Sequence, residues 1–191
     1  MITHLKLKNM KTIKLLALFF VSSLVFVSCS SDDDHDDHDH EKELITTVTY
    51  TLTNGDDVVT LKFEDLDGEG GTDGTYTVSG NLSANTTYTG SIELLNATEN
   101  PAEDITEEVE EEGDEHEFFY TSTISDITFT KTDTDEDGNP IGIETTLTTG
   151  DAGTGSLTII LKHEPTKPND GTSTSAGGST DVSVTFSIEV E

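Results

Sequence analysis

The tract Asp32-Asp33-Asp34-His35-Asp36-Asp37-His38-Asp39-His40-Glu41 gathers more potential metal ligands than any other stretch of the chain. Imidazole suits Zn, Cu and Ni, and neighbouring carboxylates add charge and hydrogen bonds to ligating rings. His35, His38 and His40 are therefore candidate ligands for Zn or Cu. The surrounding acids favour imidazolium, so protons compete for the same nitrogens on acidification. The tract has almost no apolar residue and a run of like charges, so it cannot collapse. Fixing it around an ion costs ~1–2 kcal/mol per ordered residue, which predicts weak, exchangeable capture.

A second ligand pattern uses oxygen alone. Asp133, Asp135 and Asp137 stand at positions one, three and five of a loop, with Gly138 at six and Glu144 at twelve. That is EF-hand spacing, and hard oxygen ligands are what Ca²⁺ takes. The flanks read as strands rather than helices, and Pro140 falls inside the loop. The alternative is a β-hairpin loop rich in Asp and Gly. Asp65-Leu66-Asp67-Gly68-Glu69, with Asp73 nearby, is a weaker candidate of the same kind. His116 lies among carboxylates, where it is a candidate metal or proton site or, by the commoner reading, a surface histidine on a crossover. His163 ends a strand beside Glu164, and nothing in the sequence singles it out.

Catalytic signatures are missing. There is no Gly-x-Ser-x-Gly elbow and no His-Glu-x-x-His pair. Gly68 to Gly74 fits neither the dinucleotide nor the P-loop spacing. Paired carboxylates are everywhere, so their presence discriminates nothing. The expectation is a protein that is not an enzyme.

The elements that place these residues begin with an export segment. Lys11 and Lys14 precede an apolar run from Leu15 to Val27, of secretory length and too short to span a bilayer and stay. Cys29, the only cysteine, follows Ser28 at its end. This resembles the lipobox of bacterial lipoproteins, with Phe26 where Leu is commonest and Val27 where a small residue is usual. The resemblance implies that Cys29 is acylated and becomes the mature N-terminus, with palmitate-like chains holding the protein on a membrane. Acyl chains contribute about 0.8 kcal/mol per buried CH₂, and more than one gives stable anchoring. Met10 restarts the signal cleanly, so the start is Met1 or Met10.

Charge narrows the partners. The full chain carries a formal charge of −30. Four of its nine lysines precede Cys29, leaving five against 39 acidic residues and no arginine. A surface this negative repels nucleic acid and anionic headgroups. It attracts cations and basic partners, or serves solubility alone.

The domain reading is a signal peptide over 1–28, a lipidated acidic and His-rich tether over 29–43, and a folded body over 44–191. A domain of ~150 residues can bury ~70% of its unfolded surface. Within the body, period-2 alternation recurs. Val48, Tyr50 and Leu52 alternate with threonines, and Asn54 to Asp57 is a turn before Val59, Leu61 and Phe63. Further strands are marked by Tyr76 and Val78; by Tyr88, Ile92 and Leu94; by Ile127 and Phe129; and by Ile141 to Leu147. Leu157, Ile159 and Leu161 mark another. The last alternates Val182, Val184, Phe186, Ile188 and Val190 with Asp181, Ser183, Thr185, Ser187 and Glu189 on the other face. The pattern predicts an all-β protein, an antiparallel Ig-like β-sandwich of about eight or nine strands, with a barrel as the alternative. Between Pro101 and Tyr120 the pattern breaks. Glu107 to Glu112 are good helix formers, Asp104 can cap, and Gly113 would end a short helix; the alternative is an irregular crossover between the sheets. Glu164 to Thr180 reads as a long mobile loop.

Ser31-Asp32-Asp33-Asp34, close behind Cys29, resembles the export signal of surface-exposed lipoproteins in Bacteroidota, particularly flavobacteria. The His-rich tract is, on that view, an export signal that drifted into histidine. The core segments Asp65 to Gly68, Asn85 to Gly90, Glu112 to His116 and Gly150 to Leu157 are similar to a family of small acidic lipoproteins from the same bacteria. These are often labelled type 1 periplasmic-binding-fold proteins. That label names alternating strands and helices over about twice this length, whereas the periodicity here predicts strands. The resemblance implies an outer-membrane lipoprotein, lipid-anchored in the outer leaflet and facing the cell exterior. It also implies a TonB-dependent receptor as partner. Two functional readings follow: a non-enzymatic cation-binding accessory module for an uptake receptor, or a structural or adhesive surface protein without specific metal binding.

Overall fold

The computed structural model describes residues 44–67, 71 and 73–191. Strands β1 (Thr47–Asn54) and β2 (Asp57–Glu64) pair in register around the expected turn, where Gly55 takes φ +59°, a conformation glycine adopts without steric cost. Then follow β3 (Thr75–Val78), β4 (Thr87–Asn96), β5 (Glu103–Asp104), the helix α1 (Ile105–Glu111) and β6 (His116–Ser122). The chain continues through β7 (Thr128–Lys131), β8 (Glu144–Thr148), β9 (Gly153–His163), the short helix α2 (Ser173–Ala176) and β10 (Ser179–Val190).

Seven strands form one sheet in the order β3-β2-β1-β4-β8-β7, with β5 on β4, and the other three form a second sheet, β10-β9-β6. Every ladder between named strands is antiparallel. The predicted all-β, sandwich-like architecture is therefore the one observed, with ten strands rather than eight or nine. The two-residue β5 carries no period-2 signal of its own.

The alternation sets what each sheet buries. Tyr50, Leu52, Leu61, Tyr88, Leu94 and Leu147 of the large sheet pack in one core with Phe118, Leu157, Ile159, Leu161 and Phe186 of the small one. Apolar burial of this kind contributes roughly 25 cal/mol per Å² removed from water. Ring contacts cross the interface: Tyr50 to Tyr120 at 5.4 Å and Tyr76 to Phe186 at 5.6 Å.

Helix α1 forms where the helix formers sit. The Asp104 side chain caps it by accepting from the Thr106 N–H at 3.0 Å, and Ile105 and Val109 face the core. Gly113 does not end it; α1 stops at Glu111, with Glu112 as its cap. Gly113 instead answers to packing, since a Cβ there would lie 2.5 Å from Ile141 Cδ1. The segment 164–180 is also more structured than a free loop. It contains α2, whose Ala176 is fully buried, and Thr166 N–H donates to Ala176 O at 2.7 Å.

Candidate metal centre

Of the six histidines, one precedes the apolar run and three lie in the tether; the remaining two, His116 and His163, meet at one end of the small sheet. They are register partners across β6 and β9, and their rings stack with centroids 5.0 Å apart and planes 11° from parallel. His116 is in phase with Phe118, and His163 with Leu157, Ile159 and Leu161, so both face the core side. His116 is only 1% exposed, which corrects the sequence reading of a surface histidine. Acidic neighbours on either side masked a position that strand phase alone would have turned inward.

Asp181 joins them from β10. Simple alternation places it outward with Ser183 and Thr185, but the β9–β10 ladder shifts register between Thr180 and Val182. A bulge of this kind re-aims a side chain. The Asp181 side chain is 2% exposed, and its Oδ2 lies 3.9 Å from His116 Nε2. Lys162 holds the strand end closed by donating to Gly178 O and Thr180 Oγ1.

The tautomer follows from the hydrogen bond on the other ring nitrogen. His116 Nδ1 lies 3.1 Å from the carbonyl of Glu112, just past the end of α1. A carbonyl only accepts, so Nδ1–H donates and the neutral ring presents its Nε2 lone pair toward Asp181. Burial pushes His116 below the usual imidazole range, the Glu112 carbonyl and the Asp181 charge pull it up, and His163 pushes it down again; the net direction is down. A neutral imidazole oriented by a backbone carbonyl is the form a metal takes.

One ligand atom from each of His116, His163 and Asp181 lies within 4.8 Å of the others. Tetrahedral N/O coordination at 2.0–2.2 Å sets ligand atoms roughly 3.4 Å apart, so small side-chain rotations would close the set. A second set, Glu115, His163 and Glu164, meets the same limit and shares His163. Glu115 Oε2 lies 3.5 Å from His163 Nε2.

The 133–144 loop is arranged differently. Asp133 accepts the N–H groups of Gly142 and Ile143 at 2.9 and 2.8 Å. Asp135 accepts those of Asp137 and Asn139, and the buried Lys167 ammonium stands 3.4 Å from its Oδ2. These two carboxylates close a strand-flanked loop through backbone amides, and a lysine neutralises the Asp135 charge. Among the described residues, the metal-ligand groupings do not include Asp133, Asp135, Asp137 or Glu144. Asp133, Asp135 and Glu144 nevertheless line one cleft together, with Glu107, Glu110 and Glu111 of α1 on its other side; Asp137 is not part of that lining. Burial there raises the Glu144 pKa, as do the charges of Asp133 and Glu110.

Cys29, Ser31, Asp32, Asp33, Asp34, His35, His38 and His40 lie outside the described residues, as do Gly68 and Glu69 of the weaker loop candidate. No family model, curated protein or solved structure matches the chain. The functional reading therefore rests on the chemistry of the site.

Proposed function

We propose that the protein is a lipid-anchored, surface-exposed outer-membrane protein whose folded body binds one borderline divalent transition metal, Zn²⁺ or Cu²⁺, at His116, His163 and Asp181. The supporting observation is the stacked imidazole pair, His116 buried and His163 partly so, with a carboxylate brought to it by a strand bulge. Two imidazoles and one carboxylate suit Zn or Cu and disfavour Ca²⁺ and Mg²⁺, which take oxygen ligands. A three-ligand set leaves a coordination position for water or for a donor from a partner.

In this reading Cys29 supplies the anchor and Ser31 to Asp34 the export signal. His35, His38 and His40 collect ions weakly, and the body holds one more firmly. The protein acts without catalysis, as an accessory to a TonB-dependent outer-membrane receptor. Its excess of acids raises the local cation concentration.

Calorimetric titration of the purified protein with Zn²⁺, Cu²⁺ and Ca²⁺ tests this. One strong Zn²⁺ or Cu²⁺ site is expected, kept when His35, His38 and His40 are changed to Ala. It should weaken at least ~100-fold in Asp181→Asn and His163→Gln, beyond what loss of an orienting hydrogen bond costs. Unchanged heats in both single variants would reject the site, and silence with all three ions would favour the adhesive reading.

A further inference from the structure

The two ligand sets that share His163 differ in exposure, and the difference has a direction. The His116 and Asp181 side chains are 1% and 2% exposed, His163 is 16%, and Glu115 is 35%. Glu164 is exposed. Side-chain exposure therefore rises from the buried pair through His163 to Glu115 and Glu164, although the Glu115 Oε2 and His163 Nε2 atoms that face each other are themselves buried.

The outer set is also held in place. Glu164 takes φ +51°, a left-handed conformation uncommon outside glycine, at the point where the chain leaves β9. Its N–H donates to the backbone carbonyl of Glu115 at 2.7 Å, which fixes the two acidic residues beside each other. Behind them the backbone approaches closely: a Cβ on Gly178 would lie 2.2 Å from His163 O and 2.8 Å from Glu164 O. A strained non-glycine residue held by its surroundings is a feature that concentrates at functional sites.

Resting on the metal-binding reading above, we propose that Glu115, His163 and Glu164 form an outer station through which the metal ion reaches the buried His116–His163–Asp181 pocket. A bare divalent ion cannot cross into a buried site without a large desolvation penalty. Carboxylates at the mouth replace part of its water shell first. Because His163 serves both sets, the ion exchanges Glu115 and Glu164 for His116 and Asp181 while remaining on one imidazole. No bond to carbon changes and no electron moves; only ligands exchange. The inner set, with two imidazoles, is the tighter of the two for Zn²⁺.

A station of this kind lowers the barrier in both directions. Its removal should slow capture and release together and leave equilibrium affinity nearly unchanged. The test is stopped-flow binding of Zn²⁺, followed by competition with a chromophoric chelator, in the full chain carrying His35→Ala, His38→Ala and His40→Ala. Glu115→Gln with Glu164→Gln is compared with Glu107→Gln with Glu111→Gln, which removes the same charge from α1. The expected result is about a tenfold fall in both rate constants for the first pair, a dissociation constant within threefold of the parent, and a smaller change in the second pair.

Equal slowing in the two pairs would assign the effect to the general acidic field and overturn the station. Collapse of affinity in the first pair would make Glu115 and Glu164 resting ligands and overturn it too, as would two Zn²⁺ ions bound per chain. No Zn²⁺ binding by the parent chain would instead remove the metal site on which the station rests.

Discussion

His116 and His163 stack across the β6–β9 ladder with their rings 5.0 Å apart, although the rest of that face is aliphatic and aromatic core. Two imidazoles in a core are expensive unless something satisfies them. The bulge that turns Asp181 toward His116 supplies charge to the same place. Sequence-distant candidate ligands are thereby brought together on rigid strands rather than on a loop.

Metal should therefore stabilise the fold, because the unfolded chain has no assembled site. At a free Zn²⁺ concentration 100 times the dissociation constant, the gain is about 2.7 kcal/mol. For a domain of ~150 residues this raises Tm by about 5–10 °C. Differential scanning calorimetry with Zn²⁺ and with a chelator checks it. Asp181→Asn should keep the apo transition near the parent's and lose most of the metal-dependent shift. An equal shift in the variant would place the ion elsewhere.

Asp135 and Lys167 make the second buried charge pairing of interest. Burial alone would raise the Asp135 pKa, but hydrogen bonds from the Asn139 backbone and side chain, with the Lys167 ammonium, outweigh it and hold the carboxyl low. The folded-state value is thus below the unfolded value of about 3.9. The stabilisation is fully present above the unfolded value and is lost as pH falls through the folded one. Asp135→Asn should cost about 1.5–3 kcal/mol at pH 7, the range for hydrogen bonds to a charged group. It should also flatten the decline in stability below about pH 4. Urea midpoints at pH 7 and at pH 3 measure both; identical pH dependence in parent and variant would contradict the pairing.

Strand phase made most of the core legible. Val48, Tyr50 and Leu52, or Val182 through Val190, alternate so cleanly that sheet and inward face follow from sequence. The helix cap at Asp104 was equally readable. The centre was not, for two physical reasons. His116 is flanked by acids that suggested solvent, while its phase with Phe118 turned it inward. Asp181 obeys no alternation, because a bulge is invisible to a period-2 pattern until the partner strand is known. The EF-hand spacing at Asp133 to Glu144 shows the converse. Similar residues at matching intervals accept backbone amides when the flanks are strands.

Gly178 and Gly138 separate backbone strain from site geometry. Both have positive φ, +66° and +84°. Around Gly138 a Cβ would meet nothing within 4 Å, whereas at Gly178 it would strike His163 O. Gly138→Ala should cost only the left-handed strain of about 1–2 kcal/mol and leave Zn²⁺ affinity unaltered. Gly178→Ala adds overpacking against backbone, for a total of about 2–4 kcal/mol, and should weaken Zn²⁺ because the His163–Glu164 backbone must move. Chemical denaturation paired with metal titration resolves the two; equal losses of affinity would unlink Gly178 from the centre.

Tyr50 carries the one polar group that β1 sends deep into the interface between the sheets. Its hydroxyl meets Thr145 Oγ1 at 2.7 Å, and burial drives its pKa upward. The space for this pair exists because residue 90 is glycine: a Cβ there would lie 2.5 Å from both oxygens. Tyr50→Phe should cost about 1–2 kcal/mol, since the Thr145 hydroxyl keeps only its long 3.4 Å contact to Gly90 O. Thr145→Val should cost a similar amount by stranding the phenol. The double variant removes both polar partners and should cost clearly less than the two single losses added together. Full additivity in urea denaturation would mean that the two hydroxyls do not depend on each other, and the hydrogen bond could not then be what fixes β1 against β8.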